Sequence, residues 1–173
     1  MSTIIETDRL IMREIDLDKD LDAFCETMRD PDTVRFIGGK TLDRAETWRA
    51  AAMLIGHMKV RGYGFMSVIE KSTGAWIGRV GPWNPVGWPE PEVGWTIHPA
   101  HTRKGFAKEA GAACVKYVFD DLGWDRIIHV IAEENIGSIK TAEAIGSTKM
   151  YPITNLPPFG DVKCWAYGQL KSG

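Results

Sequence analysis

Glu92–Ala110, EVGWTIHPAHTRKGFAKEA, constrains the fold of this chain more than any other stretch. Val93, Trp95 and Ile97 alternate and are strong β-formers, so the segment opens as a strand. Phe106, Ala110, Ala113, Cys114, Tyr117 and Val118 recur at helical spacing, predicting a helix from near Lys104 to Leu122 with one apolar stripe. Between them lies Thr102-Arg103-Lys104-Gly105-Phe106-Ala107. A turn that opens a helix offers unpaired backbone N–H groups and the positive end of the helix dipole. Gly105 removes a Cβ where an anion would approach the backbone. The segment therefore suits a phosphate, although a glycine and two cations also serve simply to solubilise a helix start.

The flanking sequence is consistent with a single mixed domain. Ile4–Ile15 alternates as a first strand; Leu17–Met28 follows Asp16 as a helix that Pro31 ends. Arg35–Lys40 is a loop with two glycines, and Thr41 reads as the N-cap of a helix over Leu42–Arg61, stopped by Gly62. Tyr63–Glu70 and Ala75–Val80 read as strands joined by a turn at Lys71–Gly74; Gly81–Pro91 reads as a loop. Asp125–Glu133 is a strand, Ile136–Ala144 a short helix ended by Gly146, and Lys163–Leu170 a last strand.

Composition excludes several classes. With 44% hydrophobic and 25% charged residues the chain can bury one sizeable core. A formal charge of −2 lacks the basic excess of a nucleic-acid binder. No window is long and apolar enough to span a membrane, and charges run throughout Met1–Arg13, unlike a signal peptide. Cys25, Cys114 and Cys164 form no C-x-x-C pair, which predicts reduced thiols and a cytoplasmic protein. The four histidines do not stand at metal-ligand spacing, so no metal is expected.

Three segments carry a resemblance. Thr102–Ala107, between strand and helix, is similar to the R/Q-x-x-G-x-G/A turn of the GNAT superfamily of N-acetyltransferases, with Thr102 where Arg or Gln is usual. Glu134-Asn135-Ile136-Gly137-Ser138 resembles the family's E-N-x-x-S motif. Glu6–Arg13, ETDRLIMR, looks like the first strand of the subgroup that includes the Rim-type ribosomal-protein N-terminal acetyltransferases. The segments fall in that family's order. The resemblance implies one α/β (α+β) domain over residues 1–173. Its sheet would be mixed, mostly antiparallel and of about six to seven strands, flanked by about four helices and splayed at the cofactor strand.

It also implies a chemistry, acetyl transfer from acetyl-CoA to a primary amine, either a protein N-terminus or a small amine. The backbone of Trp95 and Ile97 would hold the pantetheine arm and thioester, with Thr96 between them also at the cofactor, and Thr102, Arg103, Lys104, Gly105, Phe106 and Ala107 would hold the pyrophosphate. Trp95 and Ile97 equally suit core packing. Glu92 is the candidate general base, acting through water, or else an exposed strand-end carboxylate beside Glu90. Many relatives carry a tyrosine as general acid seven residues beyond the Asn; here that position is Ala142, which leaves Ser138 as a hydrogen-bonding partner of the leaving sulfur or of the cofactor's pantetheine, or as an ordinary first-turn serine. Asn135 would cap the helix, contact cofactor, or both. Tyr151 and Tyr167 are further phenols.

For the acceptor, Phe36 and Ile37 lie where related proteins line the groove. Trp83, Trp88 and Trp95 form either an aromatic wall for a cationic amine or a sheet-edge or homodimer contact. Two other readings stand beside the enzyme: a catalytically silent acyl-CoA-binding sensor or regulatory module, which Ala142 favours, and a protein that keeps only the fold.

Overall fold

The fold is an eight-stranded sheet carrying helices on both faces, in a computed structural model that describes residues 3–157, 159–160 and 162–171. Chain order gives β1 (Thr3–Glu6), β2 (Leu10–Arg13), α1 (Leu17–Arg29), α2 (Pro31–Val34), α3 (Arg44–Arg61), β3 (Met66–Glu70), β4 (Trp76–Trp83) and β5 (Glu92–Ile97). A 3-10 turn at Pro99–His101 leads to α4 (Phe106–Asp120), β6 (Arg126–Ala132), α5 (Ile136–Ala144), β7 (Thr148–Ile153) and β8 (Cys164–Leu170). The sheet order is β1-β2-β3-β4-β5-β6-β8-β7, and every neighbouring pair is antiparallel except β5–β6. Two consecutive strands can lie parallel only if a crossover joins them, and α4 is that crossover.

Alternation along β5 divides the core. Val93 turns to α4 and packs with Leu10, Val68, Ile77, Val80, Phe106, Ala110 and Cys114. Gly94 turns the other way, against the Phe65 ring. On that face Phe65 joins Phe24, Met28, Ala51, Leu54 and Trp76 beneath α1 and α3. A buried polar cluster ties α1 to the sheet. Arg13 pairs with Asp20 at 2.6 Å, Ser67 Oγ donates to Asp20 at 2.6 Å, and Trp76 Nε1 donates to Ser67 Oγ at 2.9 Å.

Several boundaries differ from expectation, each for a local reason. The first strand is a hairpin, because Thr7 N–H bonds to Leu10 O and Thr7 Oγ1 accepts Leu10 N–H, closing a turn inside the alternating run. The N-cap of α3 is Asp43, not Thr41; Asp43 and Glu46 complete a capping box that counting from Thr41 hides. Gly81, Pro82 and Trp83, assigned above to a loop, continue β4 by pairing with Gly94, Val93 and Glu92. The unforeseen strand β7, TKMYPI, is an edge strand with much of its length exposed, so it lacks an apolar pattern and tolerates Pro152. Helix α4 starts at Phe106 because Gly105, with φ 81°, stands outside helical space. The short α2 brings the helices to five among the described residues.

Candidate functional site

The sheet splits where β5 leaves β6. Glu92 with Ile128 is the single paired step between them. Beyond it two side chains satisfy the backbone that the split exposes. Val130 N–H donates to Glu92 Oε1 at 3.0 Å, and His129 Nδ1 lies 2.5 Å from Val93 O. A carbonyl only accepts, so His129 carries its proton on Nδ1 and its Nε2 accepts from Ser147 Oγ at 2.9 Å. Burial pushes the His129 pKa down to about 4, so this network is neutral. Because Val93 O turns to the split and His98 N–H bonds to Ile77 O of β4, alternation directs the backbone groups of Trp95 and Ile97 into the split and those of Thr96 towards β4. Thr96 therefore reaches the groove only by its side chain.

A groove of about 1940 Å³ runs through the split and touches nearly every residue singled out in the sequence. Glu92 forms part of its wall, 8% exposed. Desolvation raises its pKa to about 7, partly offset by Val130 N–H and by Trp88 Nε1, which donates to Oε2 at 2.6 Å. The exposed strand-end alternative is thus excluded for this carboxylate.

The anion loop closes one end of the groove. Arg103 adopts φ 59° and Gly105 φ 81°, two left-handed residues that gather successive amides into a concave turn. The N–H groups of residues 103–108 have no acceptor among the described residues. Thr102, Arg103, Gly105, Phe106 and Ala107 line the groove; Lys104 does not, and its carbonyl instead accepts from Arg9 Nη1 at 3.1 Å. Arg9 also pairs with Glu109 at 2.6 Å and lies 4.6 Å over the Phe106 ring, while Thr7 Oγ1 donates to Glu109 at 2.6 Å. The opening Thr-x-Arg motif is therefore a brace for this loop, a role its sequence did not announce.

On the α5 side, Asn135 caps the helix by accepting Ser138 N–H at 3.1 Å. Ser138 Oγ accepts from Trp95 Nε1 at 3.2 Å, which leaves the hydroxyl proton free to donate into the groove. Trp95 stacks near His129, centroids 4.7 Å apart, and so stands apart from Trp83 and Trp88. Ala142 is fully buried with Ile131 and Tyr167; that position faces the core rather than the groove.

Trp83 and Trp88 meet edge to face at 6.4 Å, with Phe65 and His57 on Trp83 and Phe159 on Trp88. They line the groove together with Phe36 and Ile37 rather than capping a sheet edge. Sequence reasoning missed Arg79, which also lines it; a lone cation in the apolar run Trp76–Trp83 was the available signal. Among the described residues, no His, Cys, Asp or Glu cluster could hold a metal, and no helix is long and apolar enough to cross a membrane.

A family model described as acetyltransferase (GNAT) domain matches residues 9–148. The uncharacterized N-acetyltransferase YoaA of Bacillus subtilis strain 168 is 30% identical over 152 residues, spanning 86% of this chain and 85% of its own. The acetyltransferase from Agrobacterium tumefaciens strain C58 superposes with TM-score 0.85 at 24% identity, over 99% of this chain and 95% of that one. A ribosomal L7/L12 alpha-N-protein acetyltransferase solved in complex with coenzyme A superposes with TM-score 0.80 at 12% identity, over 98% of each chain. A sheet opened beside an unpaired amide loop, in a chain matched over most of its length, has one reading: this protein belongs to the GNAT acetyltransferases.

Proposed function

We propose that the protein moves an acetyl group from acetyl-CoA to a primary amine by direct transfer, with Glu92 as the general base, directly or through one water. The observation that carries this is the buried Glu92 carboxylate, with a pKa near 7, in a groove that also holds the free amides of residues 103–108. That groove has the donor set an acyl-CoA needs: amides and a helix start for the pyrophosphate, and the split edge at Trp95 and Ile97 for the amide-bearing arm. The co-substrate supplies an activated thioester. Glu92 takes the proton that the amine sheds as its nitrogen bonds to the acyl carbon, and the carbon–sulfur bond breaks. A backbone N–H on the split edge polarises the carbonyl, and the Ser138 hydroxyl donates to the departing sulfur. Phe36, Ile37, Trp83 and Trp88 receive the acceptor. The likeness to ribosomal-protein acetyltransferases supports a protein N-terminus among the acceptors. Three free, buried cysteines fit a reducing cytoplasm.

Thermal unfolding with excess acetyl-CoA, followed by thiol release over a panel of amines, tests this. Ligand at about 100 times Kd adds about 2.7 kcal/mol, a Tm rise of about 5–10 °C for a domain of this size. A shift with thiol release supports the enzyme. A shift without release from any amine favours the silent acyl-CoA-binding module, the reading that the absence of a phenol at Ala142 motivates. No shift at millimolar ligand sinks both.

A further inference from the structure

Arg79 leaves β4 opposite Thr96, on the face that carries Phe65 and Trp83. Its guanidinium lies 4.3 Å from the Phe65 ring centroid and 5.9 Å from that of Phe24. Its Nε is buried without a hydrogen-bond partner, and among the described residues no carboxylate stands within ion-pair distance. Burial lowers its pKa to about 10, so it stays charged at neutral pH, and Glu92 is the carboxylate that acts on it at longer range. A guanidinium whose Nε is buried without a partner is costly, and the half-buried side chain lines the groove.

Gly94 stands between Glu92 and Thr96 on this face. A Cβ there would come within 2.9 Å of Phe65 Cζ and 3.7 Å of Glu92 Oε1, so the absent side chain lets the Phe65 ring lie on the strand between the two charges. One groove thus presents an anion, the apolar Phe65 ring and an unpaired cation. Resting on the acetyltransferase reading, we infer that the preferred acceptor is a zwitterion, an amine bearing a carboxylate, whose amine meets Glu92 while Arg79 takes the carboxylate. A planar guanidinium fixed over an aromatic ring suits that task, because it can hold both carboxylate oxygens at once. The carboxylate is either the α-carboxylate of a free amino acid or an acidic side chain near a peptide N-terminus.

The test compares matched acceptors by thiol release: phenylalanine with phenethylamine, leucine with isoamylamine, and C-terminally amidated tripeptides that differ only in a glutamate or glutamine at the second position. The carboxylate-bearing member should be preferred at least about 30-fold in kcat/KM, the scale of a hydrogen-bonded charge pair. Arg79→Gln should collapse that ratio towards one, and Arg79→Lys should restore part of it. Because the readout is a ratio within one variant, partial loss of folded protein does not move it. Preference for the amino acid assigns the free form, and preference confined to the glutamate peptide assigns the side chain. Equal rates within every pair, or an unchanged ratio in Arg79→Gln, overturn the inference and leave the acetyltransferase standing. Silence with every amine overturns both.

Discussion

Glu92 accepts the backbone N–H of Val130 at 3.0 Å, so a side chain from β5 occupies the place where a partner strand's carbonyl would stand. The same carboxylate therefore opens the sheet and faces the groove. Replacing it with glutamine should lower kcat roughly 100- to 10 000-fold while leaving acetyl-CoA affinity within a few-fold. Single-turnover rates and calorimetric titration separate the two effects; unchanged kcat across pH 6–9, a range that brackets a base near 7, would remove Glu92 from the chemistry.

The pH dependence has a definite sign. A base with pKa about 7 must be ionised to act, so kcat/KM should rise through pH 7 and level above it. The Trp88 hydrogen bond holds that pKa down, so Trp88→Phe should move the rising limb to higher pH.

Stability runs the other way. The folded pKa of about 7 exceeds the ordinary 4.5, so the contribution of Glu92 to stability is fully present below pH 4.5 and is lost as the pH rises through 7. The Tm of Glu92→Gln relative to the parent should therefore be more favourable at pH 8 than at pH 4. A pH-independent difference would contradict the assigned burial.

Ala142→Tyr, which restores the family's phenol, should destabilise rather than activate. Ala142 is fully buried beside Tyr167 and Ile131, and overpacking of this kind costs about 1–3 kcal/mol or more. Urea denaturation measures the loss; a gain in kcat at unchanged stability would refute the packing argument.

Arg9→Ala should loosen the anion loop from below. Arg9 is half exposed, so its pairing with Glu109 and Lys104 O is worth about 1 kcal/mol, at most about a fivefold rise in the Kd for acetyl-CoA. Asp20→Ala should instead cost about 3–5 kcal/mol of folding stability, because it strands Arg13 beneath α1, with no specific effect on that Kd.

Much of this was legible before the structure. The strand–turn–helix at Glu92–Ala110 and the cap at Asn135 depend on residues close in sequence, whose periodicity and turn chemistry show directly. Thr7, Arg9 and Arg79 were not legible as site residues, because their meaning lies in partners about a hundred residues away or in an absent partner. Strand β7 escaped because an exposed edge needs no apolar pattern, and the β1–β2 turn escaped because its hydrogen bonds interrupt an alternation that residue types alone leave whole. The resemblance carried most where the motif is backbone chemistry. Motif alone does not say that alternation turns the Thr96 backbone towards β4, or that the Lys104 carbonyl serves the brace.

The parallel joint of the sheet is a single step, Glu92 with Ile128, at one end of the six residues of β5. In mechanical terms the molecule is two plates, β1 to β5 and β6 to β8, clasped at one corner. The open corner leaves the backbone groups of Trp95 and Ile97 on an edge without a partner strand, at the repeat of a β ladder.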